Sequence, residues 1–186
     1  AINTLVVMKK SAILLVICCL WMVYAGCKKE TFPPEGNLIE NYSFEENGVF
    51  SLNGWDTSNA QYSTIVPENG GDFSVKLFPG APPDEGFVDY TINGRGGEKT
   101  ITKNCQANAF GGWLGTATLK LISTGETSAD LATATWDQNT WGAIDLSATA
   151  TFAEGDVLKL HLSAGFSPVT EPGQFVLFDL VTLSIN

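Results

Sequence analysis

Hydrophobic residues in this chain recur at every second position, in short runs. Val157–Ser163 sets Leu158, Leu160 and Leu162 against Lys159, His161 and Ser163. Thr100–Phe110 sets Ile101, Cys105, Ala107 and Ala109 against Thr102, Asn104, Gln106, Asn108 and Phe110. Side chains alternate across a strand, so each run predicts a β-strand with one face turned inward. The same pattern predicts strands at Leu38–Glu45, Gln61–Val66, Phe73–Phe78, Phe87–Ile92, Ala117–Ser123, Ala129–Trp136, Gly142–Phe152 and Gln174–Ile185. Gly, Pro, Asn and Asp break the runs, and no stretch carries a long amphipathic helix. Short strands with turn residues between them predict an all-β sandwich. Asn93-Gly94 predicts a hairpin between the strands on either side of it. Gly94-Arg95-Gly96-Gly97 has no helix behind it to present a dipole, so it reads as a turn rather than a phosphate loop. In the last strand Phe175, Leu177, Val181 and Leu183 are expected to share a face with Asp179. A carboxylate among apolar neighbours needs a partner, because burying a lone charge is costly.

The start of the chain follows a different logic. Lys9 and Lys10 follow Met8, the apolar run Ala12–Val23 comes next, and Tyr24-Ala25-Gly26-Cys27 ends it with small residues before a cysteine. The run is shorter than a membrane span, as in a secretory signal. It resembles the lipobox of bacterial lipoproteins, although Tyr24 stands where a Leu-like residue is usual. The resemblance implies cleavage after Gly26 and lipidation of Cys27; the alternative is an uncleaved anchor. Residues Ala1 to Val7 fit no part of such a signal. Lys28-Lys29-Glu30 resembles the charged tag of surface-exposed lipoproteins in Bacteroidetes-type bacteria, and Pro33, Pro34 and Gly36 suit a tether. The expected organisation is a leader at 1–26, a lipidated tether at 27–36 and one domain at 37–186. The expected location is the outer membrane, facing outward, with the lipid as its only membrane contact.

Composition narrows the partners. Removing residues 1–26 leaves 160 of the 186, enough for one domain with a sizeable core. Eight basic residues then face twenty acidic ones, a balance of −12. That charge argues against nucleic acid and anionic headgroups. Cys18 and Cys19 leave with the leader and Cys27 takes lipid, so Cys105 stands alone as a small core residue rather than half of a disulfide.

The two ends of the domain carry a further pattern. Asn37-Leu38-Ile39-Glu40-Asn41-Tyr42-Ser43-Phe44-Glu45 is followed by Gly54-Trp55, and the finish reads Phe175-Val176-Leu177-Phe178-Asp179-Leu180-Val181-Thr182-Leu183. Between them lie Phe73-Ser74-Val75-Lys76-Leu77 and Thr140-Trp141-Gly142-Ala143-Ile144-Asp145-Leu146. In order and spacing this resembles the galactose-binding-like jelly roll of many carbohydrate-binding modules. Tyr42 stands where that family usually has Pro, and Leu180 where it often has a second Asp. The resemblance implies a jelly-roll β-sandwich over residues 37–186, with Trp55 and Trp141 packed in its core. It also implies a structural calcium ion at Glu45 and Asp179, completed by backbone carbonyls near Asp72 to Lys76. The alternative is an Asp179 that accepts backbone N–H bonds without a metal.

Sugar sites pair exposed aromatic rings with amides or charges. The candidates are Trp113, Tyr62, Asn104, Gln106, Asn108 and His161, with Lys159 beside His161 and Trp136 as a further ring. His161 joins the amide row if its strand neighbours Thr100–Phe110. The rival reading makes the amides a solvated face and the tryptophans edge covers. Catalysis has little to draw on. Asp84, Glu85 and Asp89 look like a loop beside Pro82-Pro83 and Gly86, and Ser163 with His161 lacks an evident acid. The expected function is non-catalytic binding of a polysaccharide or other glycan by a surface lipoprotein. The alternative is a structural, adhesive or accessory lipoprotein that binds a protein partner.

Overall fold

The computed structural model describes residues 33–80, 85–123, 127–165 and 173–186. Cys27, the leader and Asp84 lie outside them. Strands β1 (Glu45–Glu46) and β2 (Val49–Phe50) form a small hairpin. Next come β3 (Asp56–Ser58), β4 (Ala60–Ser63), β5 (Ser74–Leu77), β6 (Phe87–Asn93), β7 (Gly97–Phe110) and β8 (Gly115–Ile122). The last four are β9 (Ser128–Trp136), β10 (Gly142–Phe152), β11 (Val157–Ser163) and β12 (Phe175–Ile185). A first sheet has the order β10-β7-β12-β5-β4 and a second β3-β6-β11-β8-β9, with every pairing antiparallel. The result is a two-sheet β-sandwich without helices among the described residues, as the alternation predicts.

The inward faces make one core. Ile101, Cys105, Ala107 and Ala109 of β7 meet Leu158, Leu160 and Leu162 of β11 there, with Val88, Ala117, Leu119 and Phe152. Burial of this apolar surface is the main stabilising contribution, at about 25 cal/mol per Å² removed from water.

The opening motif is not a strand. Residues 37–44 are turns and bends, contrary to the expected strand at Leu38–Glu45. Asn37 shows why. Its side-chain oxygen accepts from Ile39 N–H (3.2 Å) and Leu183 N–H (2.9 Å), and its amide donates to the carbonyls of Ile39 (3.1 Å) and Val181 (3.2 Å). One side chain thus replaces part of a ladder beside β12. Asn41 donates to Ser51 O at 2.9 Å, while Trp55 Nε1–H donates to Asn41 O at 3.0 Å and its ring packs on Phe44. These motif residues hold the opening segment onto the core. Trp55 is buried as expected, whereas Trp141 is half-buried with its indole nitrogen unpartnered.

Two further expectations change. Asn93-Gly94 does not close a hairpin. β6 pairs with β3 and β11 in the second sheet and β7 with β10 and β12 in the first, so the turn crosses between sheets. Gly94 donates to Asp156 O at 3.0 Å, and a Cβ there would lie 2.1 Å from the Phe152 ring, so glycine is required by a close approach. In β12 a bulge between Asp179 and Thr182 shifts the register, with Leu180 at φ 49°. Val176, Phe178, Val181 and Leu183 therefore face the core, while Phe175, Leu177 and Asp179 lie on the rungs of Phe110, Asn108 and Gln106. The expected common face of Phe175, Leu177, Val181 and Leu183 is split by the bulge.

Candidate functional site

On β6, Val88 faces the core, so Asp89 points away from it; on β11, Leu160 faces the core and His161 points away. Antiparallel pairing sets Asp56, Asp89, His161, Thr118 and Thr133 on one rung across the five strands of the second sheet. Asp89 is the anchor of this row. His161 Nδ1 lies 2.6 Å from its Oδ1, and Lys159 Nζ donates to Oδ2 at 3.0 Å. Burial alone would raise the Asp89 carboxyl, but the hydrogen bonds and charge of His161 and Lys159 outweigh it and hold it below the usual aspartate range. The Phe87 ring lies 5.6 Å from the His161 ring, and Thr133 Oγ1 donates to Thr118 Oγ1 at 3.2 Å. Asp89, Thr118 and Ser163 are all buried although they point away from the core. The face is thus a sunken polar floor with a ring at its edge. No hydrogen bond joins Ser163 to His161, so the acid beside His161 belongs to an ion-pair cluster and not to a relay onto a hydroxyl.

The expected sugar residues do not come together. Asn104, Gln106 and Asn108 share a face of β7 in the first sheet, so His161 and Lys159, on β11, cannot extend their row. Asn104 Nδ2 donates to Asp145 Oδ1 at 2.5 Å, and Asn108 is buried with its side-chain oxygen unpartnered. A groove of about 690 Å³ contains Asn104 with Thr102, Asp145, Ser147 and Ser184, but no aromatic ring. Tyr62 is 60% exposed on the edge strand β4, with β5 and β12 between it and β7. Trp136 folds back on its own turn, its indole donating to Gln138 O and Thr140 O. Trp113 packs against the core and its indole N–H donates to Ala164 O, just past the end of β11. The indole therefore closes one end of the sandwich. Trp113→Ala should cost about 2 kcal/mol, half the usual loss for a buried tryptophan because the ring is half-buried. Chemical denaturation of that variant checks this.

Sequence reasoning missed Asp89 as a site residue: it lies within the predicted strand Phe87–Ile92 but was grouped with Asp84 and Glu85 as a loop acid. The alternation Val88, Tyr90, Ile92 through Phe87–Asn93 was the available signal, since it puts Asp89 on a strand.

Glu45 and Asp179 do approach one another. Glu45 Oε1 accepts from Asp72 and Phe73 N–H, and Asp179 Oδ1 accepts from Leu180 N–H at 2.7 Å. Asp179 is fully buried, and its Oδ2 has no partner. Burial, with the Glu45 charge adding to it, pushes its carboxyl up to about 8 despite the Leu180 N–H. Gly70 and Gly71 pass so close that a Cβ would lie 2.7 Å from Asp179 Oδ2 and 1.9 Å from Glu45 Oε2. An orphaned buried carboxylate oxygen, a second carboxylate and a glycine cradle fit a hard cation. No cluster of three or more acidic, His or Cys side chains occurs among the described residues, so most remaining ligands would be carbonyls.

No family model and no curated protein matches the sequence. Solved structures do match the fold. The chain superposes on family 16 carbohydrate-binding module 2 with a TM-score of 0.54 at 19% identity, covering 79% of this chain and 99% of that one. Against TmCBM61, solved in complex with beta-1,4-galactotriose, the values are 0.51 and 13%, over 81% and 99%. Against the CBM22-2 xylan-binding domain from Paenibacillus barcinonensis Xyn10C they are 0.53 and 16%, over 73% and 94%. The fold is that of the carbohydrate-binding-module jelly rolls.

Proposed function

We propose that this jelly roll binds glycan without catalysis, on the outer face of the second sheet. The observation that carries the reading is the Asp89–His161–Lys159 cluster with Phe87 beside it. Asp89 positions the Lys159 ammonium and the His161 ring, which hydrogen-bond to sugar hydroxyls; Thr118 and Thr133 add hydroxyls along the same rung. Phe87 offers a ring for sugar C–H groups. Strands lie about 4.8 Å apart, so five of them span about 19 Å, room for about four sugar rings along a polymer. The acidity of the chain favours a neutral glycan. One of the similar modules was solved with beta-1,4-galactotriose and another is a xylan-binding domain, which supports the same ligand class here.

The test is retention of the compact unit Thr31–Asn186 on a panel of polysaccharides. His161→Ala and Phe87→Ala should each lower affinity about tenfold, as for loss of a hydrogen bond or a stacking ring. Loss with Asn104→Ala instead would move the site to the first-sheet groove. No retention on any polymer would favour a protein partner, for which Val49, Tyr62 and Ile65 supply exposed apolar surface.

We further propose that Cys27 is acylated and tethers the domain to the outer membrane, facing outward. Two or more acyl chains anchor stably, where one holds only marginally. Cys27→Ala should leave the protein unlabelled by palmitate and free of the membrane fraction. A calcium ion at Glu45 and Asp179 completes the reading, with a structural role.

A further inference from the structure

Lys103 and Cys105 are two residues apart on β7, so both point into the core. Lys103 is 3% exposed and Cys105 fully buried. Lys103 Nζ lies 2.6 Å from Cys105 Sγ, and its other neighbour is Ile144 O at 3.5 Å. No carboxylate of the described residues pairs with Lys103 within 4.0 Å. The Asp145 and Asp179 carboxylates act on the neighbouring thiol only from beyond contact, and an ammonium enclosed in a core with no anion in direct contact is costly. The distance is also short for a hydrogen bond to sulfur, because N–H···O bonds, to a smaller acceptor, already span about 2.9 Å. One oxygen joined by single bonds to nitrogen and sulfur, at a near-tetrahedral angle, holds them about 2.6 Å apart.

We propose that Lys103 and Cys105 are joined covalently through one oxygen atom, as an Nζ–O–Sγ bridge. The reaction consumes one molecule of dioxygen. Lys103 first loses its ammonium proton to solvent. The amine and thiol then react as Lys–NH₂ + Cys–SH + O₂ → Lys–NH–O–S–Cys + H₂O. Nitrogen and sulfur each lose two electrons, and dioxygen takes all four. One oxygen atom stays in the bridge and the other leaves as water. Burial raises the thiol above its usual range despite the nearby Lys103, so it stays protonated and is no bait for polar oxidants that need a thiolate. Dioxygen is small and apolar enough to reach it. The product is neutral, which removes the unpaired cation from beneath β7. Reduction restores that cation, so the bridge makes the stability of β7 depend on redox conditions.

The test uses the protein as expressed in air, unfolded without reductant and digested with trypsin. A bridged Lys103 is not cleaved, so peptide 100–120 should survive with a mass increase of about 14 Da, one oxygen gained and two hydrogens lost. A thiol reductant should remove the increase and restore cleavage after Lys103. Protein made without dioxygen should lack it, as should Cys105→Ser. Three results would overturn the bridge: cleavage at Lys103 with a freely alkylated Cys105 before reduction, oxygen added to Cys105 alone, or a reductant-resistant increase such as a methyl group. These readouts are independent of glycan binding.

Discussion

Asp89→Ala should destabilise the domain by about 2–3 kcal/mol, because it strips a buried carboxylate from the Lys159 ammonium and the His161 ring at once. The Asp89 side chain is 9% exposed, against 28% for Lys159 and 19% for His161. Those partners keep some access to water, which holds the loss below the 3–5 kcal/mol typical of a fully buried pair. For a domain of this size the melting temperature should fall by about 5–10 °C. Glycan retention should fall with it, since Asp89 holds both the His161 ring and the Lys159 ammonium on the floor of the face. Asp89→Asn separates the two effects: it preserves shape but not charge, and should lose binding with a smaller loss of stability. Acid supplies a third readout. The folded carboxyl is held below its ordinary value, so its contribution is complete above about pH 4 and disappears as pH falls through the folded pKa. Melting curves between pH 6 and pH 3 should therefore drop more steeply for the native chain than for Asp89→Asn. Equal slopes in the two would mean that the cluster carries no charge-dependent stability.

How much of this was legible in the sequence depends on distance along the chain. Alternation is local, and it located β10 and β11 to the residue because each strand buries one face and wets the other. Pairing is not local. Nothing in Phe87–Ile92 or Thr100–Phe110 states that one belongs to the second sheet and the other to the first. An Asn-Gly between two strands suits a crossover between sheets as well as a hairpin. The same blindness joined His161 to the amides of β7, which lie in the other sheet, and hid Asp89, whose partner His161 lies 72 residues further on. The bulge at Leu180 inverted part of the face expected for β12, since one extra residue changes every side chain after it. Asn37, Asn41 and Trp55 were legible as a motif but not as a mechanism, because their work is hydrogen bonding to backbone far away in sequence. Asp179 was legible both ways: an acid on an apolar strand had to have a partner, and the structure leaves half of that carboxylate without one.

That unmet half leads to the largest effect expected of this molecule. Chelating calcium should lower the melting temperature by about 8–16 °C. A ligand at about a thousand times its dissociation constant stabilises the folded state by about 4 kcal/mol, and each kcal/mol moves a domain of this size by about 2–4 °C. The charge argument sets the sign. Burial, with the Glu45 charge adding to it, makes the Asp179 carboxyl resist ionisation. A divalent cation turns that repulsion into attraction and supplies the partner that Asp179 Oδ2 lacks. Asp179→Asn keeps the size of the side chain and removes its charge, so it should abolish the calcium response while relieving the burial cost in the metal-free protein. The variant should therefore melt above the chelated native chain and below the calcium-loaded one. Glu45→Gln should weaken the response less, because Glu45 also accepts from Asp72 and Phe73 N–H and its amide replacement can keep one of those bonds. A melting temperature unmoved by chelator, with Asp179→Asn more stable than the native chain in every buffer, would assign the site to a protonated carboxyl and remove the metal.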